Sequence, residues 1–182
     1  RIDPEWLASR GFETYSSAHR RYKGATALPE GIFYKNVIGS TGGPFEYWGV
    51  FVGKRLAAYC QCTVEGRNVD TTVTRFHPAY LKFYTSYALI SSLIETYVDE
   101  RHFRLSNGDR PIVHETNFQE FLVKMGFRKN FCRLNVIYRP ELKALVQIAY
   151  PFRKLIPAVP DRGSVRKLRA ALFQEELRRQ CL

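Results

Sequence analysis

The sequence predicts an α/β (α+β) chain built on a mixed central sheet, with antiparallel strands first, a long crossover helix, and helices on both faces. Three observations predict it. Between residues 47 and 76, three apolar or β-branched runs follow one another across two short turn signals. Between 86 and 101 the apolar period changes to that of a helix. From 102 to 138 a short strand, a polar loop, a short capped helix and a second strand follow in turn.

Residues 1–43 form a helical and loop part. Trp6-Leu7-Ala8 and residues 15–22 suggest two short helices, followed by a loop rich in glycine and proline at Leu28-Pro29-Glu30-Gly31 and a break at Ser40-Thr41-Gly42-Gly43-Pro44. The runs 47–52 and 56–64 are joined by Gly53-Lys54, a hairpin signal, and Glu65-Gly66-Arg67-Asn68 turns the chain into 69–76. Pro78 then stops the sheet. In the helix 86–101, Ile90, Leu93, Ile94, Tyr97 and Val98 form one stripe. The next strand is 102–105. Thr116 with Gln119 makes a capping box for a helix over 116–125 that carries Phe118, Phe121, Leu122 and Met125, and Gly126 is placed to take the left-handed position after its end. A long strand ending Leu134-Asn135-Val136-Ile137-Tyr138 follows. Pro140 opens a helix with Leu142, Leu145, Val146 and Ala149 on one side, Pro151 ends it, and a basic helix closes the chain from 164 to about 181.

At 182 residues, with 45% apolar content, the chain is most simply one domain with a real core, residues 1–156, followed by the basic C-terminal helix, residues 157–182. No stretch approaches a membrane span and no signal-peptide apolar region follows Arg1-Ile2-Asp3-Pro4, so a soluble, cytoplasmic protein is expected. Beginning at Arg1 and not at Met, the chain is compatible with an excised piece of a longer protein. Its four cysteines have no metal-ligand spacing. Cys60 and Cys62, two apart on a strand, share a face as structural thiols, and no metal is expected. The net charge of +11 is concentrated late: residues 139–182 hold 10 basic and 4 acidic residues against 18 and 13 before them. Such a bias favours an anionic partner: a phosphorylated cofactor, tRNA or an acidic membrane surface.

The order of antiparallel strands, long helix, strand, short helix closed by Gly126-Phe127, and last strand resembles the GCN5-related N-acetyltransferase (GNAT) superfamily over residues 47–138. That resemblance implies a sheet in which two parallel strands, here 69–76 and 102–105, splay apart, and an acyl-CoA arm that commonly enters the splay. It also implies a glycine-rich pyrophosphate loop before the long helix, where this chain has His77-Pro78-Ala79-Tyr80-Leu81-Lys82-Phe83-Tyr84-Thr85-Ser86, and a tyrosine acid where this chain has Leu122. Fem-type aminoacyl-transferases, which resemble the superfamily in fold, do without that loop and take their acyl group from aminoacyl-tRNA. They usually pair two such domains, and this chain has room for one. The implied activity is transfer of an acyl or aminoacyl group to an amine or hydroxyl, with acyl-CoA or aminoacyl-tRNA as donor. The alternative is a catalytically silent module of the same fold that binds RNA, a membrane surface or a protein partner.

Candidate site residues cluster where the second splayed strand ends. Acyl transfer needs a base for the ammonium proton and donors for the oxyanion. His114 titrates in the right range, Asp109 or Glu115 would orient it, and Ser106, Asn107, Arg110 and Asn117 supply polar groups beside it. Turn chemistry alone also accounts for Asn107-Gly108-Asp109, with Asp109 pairing Arg110 and His114 fixing the helix entry. On the first splayed strand, Thr72 and Thr74 are expected on one face with Arg75 beside them, to meet the donor. Lys82, with His77, would meet an anion at the long helix's start, and an exposed loop explains both equally well. Tyr80, Phe83, Tyr84 and Tyr87 line an acceptor cleft or, as the pattern favours, join the core. In the tail, Tyr150-Pro151-Phe152-Arg153-Lys154-Leu155-Ile156 and the basic last helix have the composition of a membrane or nucleic-acid contact. Packing through Val165, Leu168, Leu172 and Leu177, with a solvated charged face, is the favoured reading of that helix.

Overall fold

A computed structural model describes residues 1–20, 27–108, 117–130, 135–156 and 163–180. The chain forms two compact units, Arg1–Gly108 and Asp109–Leu182.

In the first unit, helices α1 (Pro4–Arg10), α2 (Phe12–His19) and α3 (Glu30–Gly39) precede strands β1 (Phe45–Val52), β2 (Arg55–Glu65), β3 (Asn68–Phe76) and β4 (Arg104–Ser106). The sheet order is β1-β2-β3-β4. The first two pairings are antiparallel and the last is parallel, so the sheet is mixed, as the sequence predicts. Both hairpins have two-residue turns, with Gly53 at φ 60° and Gly66 at φ 58° taking the left-handed conformation that such turns require. Asp3 caps α1 by accepting from the Trp6 amide at 2.9 Å, and Pro4 opens it.

Neighbouring residues on a strand point to opposite faces, and the helices divide accordingly. Tyr47, Leu56 and Tyr59 pack with Leu7, Ala8, Tyr15, Phe33 and Val37 of α1–α3. On the other face lie Trp48, Cys60 and Cys62, under the crossover helix. α3 corrects the expected loop: Pro29 precedes the helix and does not break it, and burial of Phe33 and Val37 outweighs the roughly 1 kcal/mol helix cost of Gly31. The break at 40–44 holds, with Gly42 at φ 84°.

The crossover runs as α4 (Thr85–Leu93) and then as a wider π turn over Ile94–Glu100. Leu89, Ile90, Leu93 and Tyr97 are buried, but Val98, expected on the same stripe, is exposed because the π turn changes the period. The chain then reverses at His102, a non-glycine residue at φ 55°, before β4.

In the second unit, α5 (Phe118–Lys124) ends as the sequence predicts. Gly126 at φ 94° allows its own amide to reach the Val123 carbonyl and the Phe127 amide to reach that of Leu122, both at 3.0 Å. Thr116 of the expected capping box lies outside the described residues, and Asn117 makes no side-chain cap. The expected last strand is not formed over 127–130 or 135–138, and Ile137 is almost fully exposed. Strand propensity is realised only beside a partner, and among the described residues no strand pairs with this run. Helices α6 (Pro140–Ala149) and α7 (Gly163–Gln180) fall where expected and pack on each other, and Leu172 and Leu177 are buried. Among the described residues, no helix is long and apolar enough to cross a membrane.

Candidate functional site

The parallel pairing that closes the sheet is short. Asn68, Val69 and Asp70 face Arg104, Leu105 and Ser106, and β3 then runs on through residues 71–76 with no strand beside it on that side among the described residues. With no strand beside 71–75 among the described residues, backbone N–H and C=O groups of this edge point away from the sheet, where an extended, amide-bearing ligand can pair with them.

The corner of the gap is fixed by Thr71, whose hydroxyl donates to the Asn107 Oδ1 at 2.6 Å. Ser106 Oγ accepts from the Gly108 amide at 3.1 Å, and Gly108 turns the chain at φ 59°. Ser106 and Asn107 are therefore brought to the end of the open edge, as their sequence position predicts. Asp109, Arg110, His114 and Glu115 lie outside the described residues. Asn117 is exposed at the start of α5, in the second unit.

Thr72 and Thr74 do not share a face. Gln61 pairs with Val73 and Cys62 with Thr71, so Thr72 is an extra residue, a β-bulge. Its hydroxyl meets that of Thr63 at 2.6 Å on one face, while Thr74 reaches Cys60 at 3.4 Å on the other. The bulge bends β3 where the pairing with β4 gives out. No residue type marks it in the sequence. Arg75, opposite Tyr59, is half-buried: its Nη1 donates to the Thr74 carbonyl at 2.9 Å and its buried Nε has no partner. Burial raises the Tyr59 phenol, and the nearby Arg75 charge opposes that.

Beyond β3, residues Pro78–Phe83 form a 3₁₀ turn capped by His77, whose Nδ1 accepts from the Ala79 amide at 3.3 Å. Lys82 is exposed, with its ammonium 5.2 Å from the centre of the Phe83 ring. Tyr84, left-handed at φ 57°, leads into α4. Phe83, Tyr84 and Tyr87 are exposed and form a ledge on the surface, so the expectation that this cluster joins the core is corrected. The α4 stripe is already filled by Leu89, Ile90 and Leu93, and Tyr84 and Tyr87 meet edge to face at 6.0 Å instead.

A polar network beneath the sheet gave no sequence signal beyond its aromatic residues. The fully buried Tyr97 donates to the Glu46 carboxylate at 2.5 Å and accepts from the Trp48 indole at 2.9 Å. Arg1 and Arg101 approach the same carboxylate at 2.7 and 3.3 Å. Burial, then the Glu46 hydrogen bond, raises the Tyr97 phenol. Cys60 and Cys62 share a face as expected, with sulfurs 3.7 Å apart, and the neighbouring Cys60 together with burial pushes the Cys62 thiol up. A buried thiol held protonated is a packing group, not a nucleophile.

Solved structures share this architecture, two acetyltransferases among them. One is the ribosomal-protein-S18-alanine N-acetyltransferase from Escherichia coli, superposed over 78% of this chain and 83% of that one with a TM-score of 0.54 and 15% identity. The other is an acetyltransferase from Trypanosoma brucei, over 72% of this chain and 94% of that one, with a TM-score of 0.53 and 14% identity. The chain has the GNAT fold. No protein-family profile matches it, and no curated protein matches it in sequence.

Within a GNAT fold, β3 and β4 are the parallel pair expected to splay, and the open edge of β3 is the candidate site. Where a glycine-rich loop is expected before the long helix, this chain carries the 3₁₀ turn and the aromatic ledge. Leu122, at the place of the expected tyrosine acid, is buried and serves α5 packing.

Proposed function

We propose that this protein is an acyltransferase whose donor lies along the open edge of β3. The observation that supports this best is the edge of β3 at 71–75, beside which no strand lies among the described residues, bent by the bulge at Thr72, in a fold shared with two acetyltransferases. The donor is an acyl-CoA or an aminoacyl-tRNA. Its amide or ester backbone pairs with β3, and Lys82 meets its phosphates by side chain, because residues 77–86 contain no glycine to let the backbone wrap a diphosphate.

The acceptor is an amine or hydroxyl. An amine is supported by the Escherichia coli neighbour, an N-acetyltransferase for alanine of ribosomal protein S18. In the reaction, the acceptor nitrogen attacks the donor carbonyl, the new C–N bond forms, and the C–S or C–O bond breaks. The ammonium proton passes to a base, and the leaving thiolate or ribose alkoxide takes up a proton to become the thiol or hydroxyl. His114, oriented by Asp109 or Glu115, is the base on residue chemistry alone. Ser106, Asn107, Arg110 and Asn117 are the proposed polar contacts to the acceptor, and Thr72, Thr74 and Arg75 those to the donor. We place the reaction in the cytoplasm, one compartment that supplies both donors.

Titration calorimetry of the full chain with acetyl-CoA, CoA and aminoacyl-tRNA tests this. At least one donor should bind, and Lys82→Ala should weaken it by roughly threefold to tenfold. A tRNA donor would add about 0.9 to the log–log salt slope for each paired phosphate neutralised. One observation favours the second reading, a silent binding module: exposed aromatics at 83–87 stand where a phosphate loop is expected. Failure of every donor to bind the folded chain would select that reading.

A further inference from the structure

Two nitrogen-bearing side chains end β3 on the face that meets α2. Val73 packs beside the core of α1–α3, Arg75 follows two residues on, opposite Tyr59 of that core, and His77, whose amide continues the ladder to the Ala57 carbonyl at 2.8 Å, reaches toward Glu13 of α2. Each carries a donor that no described residue accepts. Arg75 spends Nη1 on the Thr74 carbonyl, and its buried Nε has no partner. His77 Nδ1 accepts from the Ala79 amide, which leaves the proton of the neutral ring on Nε2, 4.0 Å from Glu13 Oε1 and beyond hydrogen-bond reach. The Glu13 side chain is 64% exposed and leans on Arg55 at 3.5 Å, and no carboxylate occurs between Asp70 and Glu95, so among the described residues no ion pair neutralises the half-buried Arg75. A water molecule could complete the Nε–H group but could not supply the counter-charge that a guanidinium drawn out of water requires.

We propose that Arg75 and His77 form a seat for a phosphoryl group at the end of β3, on the α2 side of the sheet. With Nη1 spent on Thr74, the guanidinium keeps the edge that carries Nε–H and Nη2–H, two parallel bonds that match a pair of oxygens on one anion. His77 Nε2–H adds a third donor from the same face. Three donors suit the three free oxygens of a phosphoryl group better than the two of a carboxylate. The phosphate comes from the acyl donor or from a phosphorylated acceptor. The seat itself stands on the unmet donors of these two residues and does not depend on acyl transfer.

The full chain, labelled with nitrogen-15, is titrated with inorganic phosphate and with acetate at constant ionic strength, while the Arg75 Nε–H resonance, assigned through bonds, is followed by NMR. Phosphate should move that resonance saturably and raise the melting temperature, and acetate should bind roughly tenfold more weakly. Arg75→Lys keeps the charge and loses the fork, so it should weaken phosphate roughly tenfold, and His77→Gln should weaken it roughly threefold. Circular dichroism of each variant should match the parent, and the resonance of the parent decides without any variant. A resonance that phosphate leaves in place overturns the proposal. So does phosphate affinity that Arg75→Lys leaves unchanged, and so does acetate binding as tight as phosphate, which would make the site a carboxylate receptor. Competition then separates the sources of a bound phosphate. Displacement by coenzyme A or aminoacyl-tRNA, and not by pantetheine, gives it to the acyl donor, whereas phosphate retained against both gives it to the acceptor. The seat and the acyl-donor reading thus fail separately.

Discussion

In the first unit, Leu56, Ala57, Ala58, Tyr59, Cys60, Cys62 and Val69 of adjoining strands are all buried, with helices over both faces. In the second, Leu122, Val146, Leu172 and Leu177 are the buried apolar residues among those described, while Ile137, Ile148, Phe152 and Leu155 stand in water. The two units also handle their most enclosed networked carboxylates differently, the half-buried Glu46 and the buried Glu175. Glu46, at the edge of the first core, is held by Tyr97, Arg1 and Arg101 and serves a sheet already secured by apolar packing. Glu175, only 3% exposed, is a centre of the second unit: it meets Arg178 at 2.7 Å, Arg179 at 2.8 Å and the Tyr138 hydroxyl at 3.2 Å. One unit is organised by burial and the other leans on a charge cluster.

That comparison can be broken most sharply at Tyr97. Replacing it by Ala should cost about 4 kcal/mol in denaturant unfolding, since it empties a fully buried site. Tyr97→Phe keeps the ring and should cost about 1–3 kcal/mol, because the Glu46 and Trp48 groups lose their partner. A loss below about 1 kcal/mol for the Ala variant would mean that the first core does not rest on this residue.

The Arg178 hydrogen bond, with that of Arg179, holds the Glu175 carboxyl at about 2, well below the usual carboxylate range, despite burial. A folded pKa below the unfolded one stabilises the protein above about pH 4.5, and the stabilisation is lost as pH falls toward 2. Melting temperature should therefore drop through that window by the equivalent of about 2 kcal/mol, and Glu175→Gln should be less stable at neutral pH and flatter in acid. An acid profile identical in the variant would remove the charge cluster from the account.

A smaller effect is expected at Gly126. Its φ of 94° strains any side chain, so Gly126→Ala should cost about 1 kcal/mol, and circular dichroism would follow the loss of the α5 C-terminus.

The same contrast explains what was legible in the sequence. The three hairpin strands, their turns, the crossover helix and the parallel pairing of 69–76 with the strand after it are marked by local residue types and by the handedness of crossovers. The helix at 30–39 was hidden because Pro29 and Gly31 look like a loop until Phe33 and Val37 find the sheet. The long strand expected to end at Tyr138 is not formed over 135–138 for the opposite reason, since among the described residues no strand stands beside that run. At the site, the corner made by Ser106 and Asn107 was readable from strand-end position. The bulge at Thr72 was not, because it arises from a register shift between two strands and no single residue encodes it.

The claim that the edge of β3 receives an acyl donor is tested most directly by amide hydrogen exchange on the full chain, with and without saturating acetyl-CoA or aminoacyl-tRNA. The account predicts that a bound donor slows exchange across residues 71–76 and at 106–108, where its backbone pairs with the open strand. A donor that binds and leaves those amides exchanging at their free rate would contradict it.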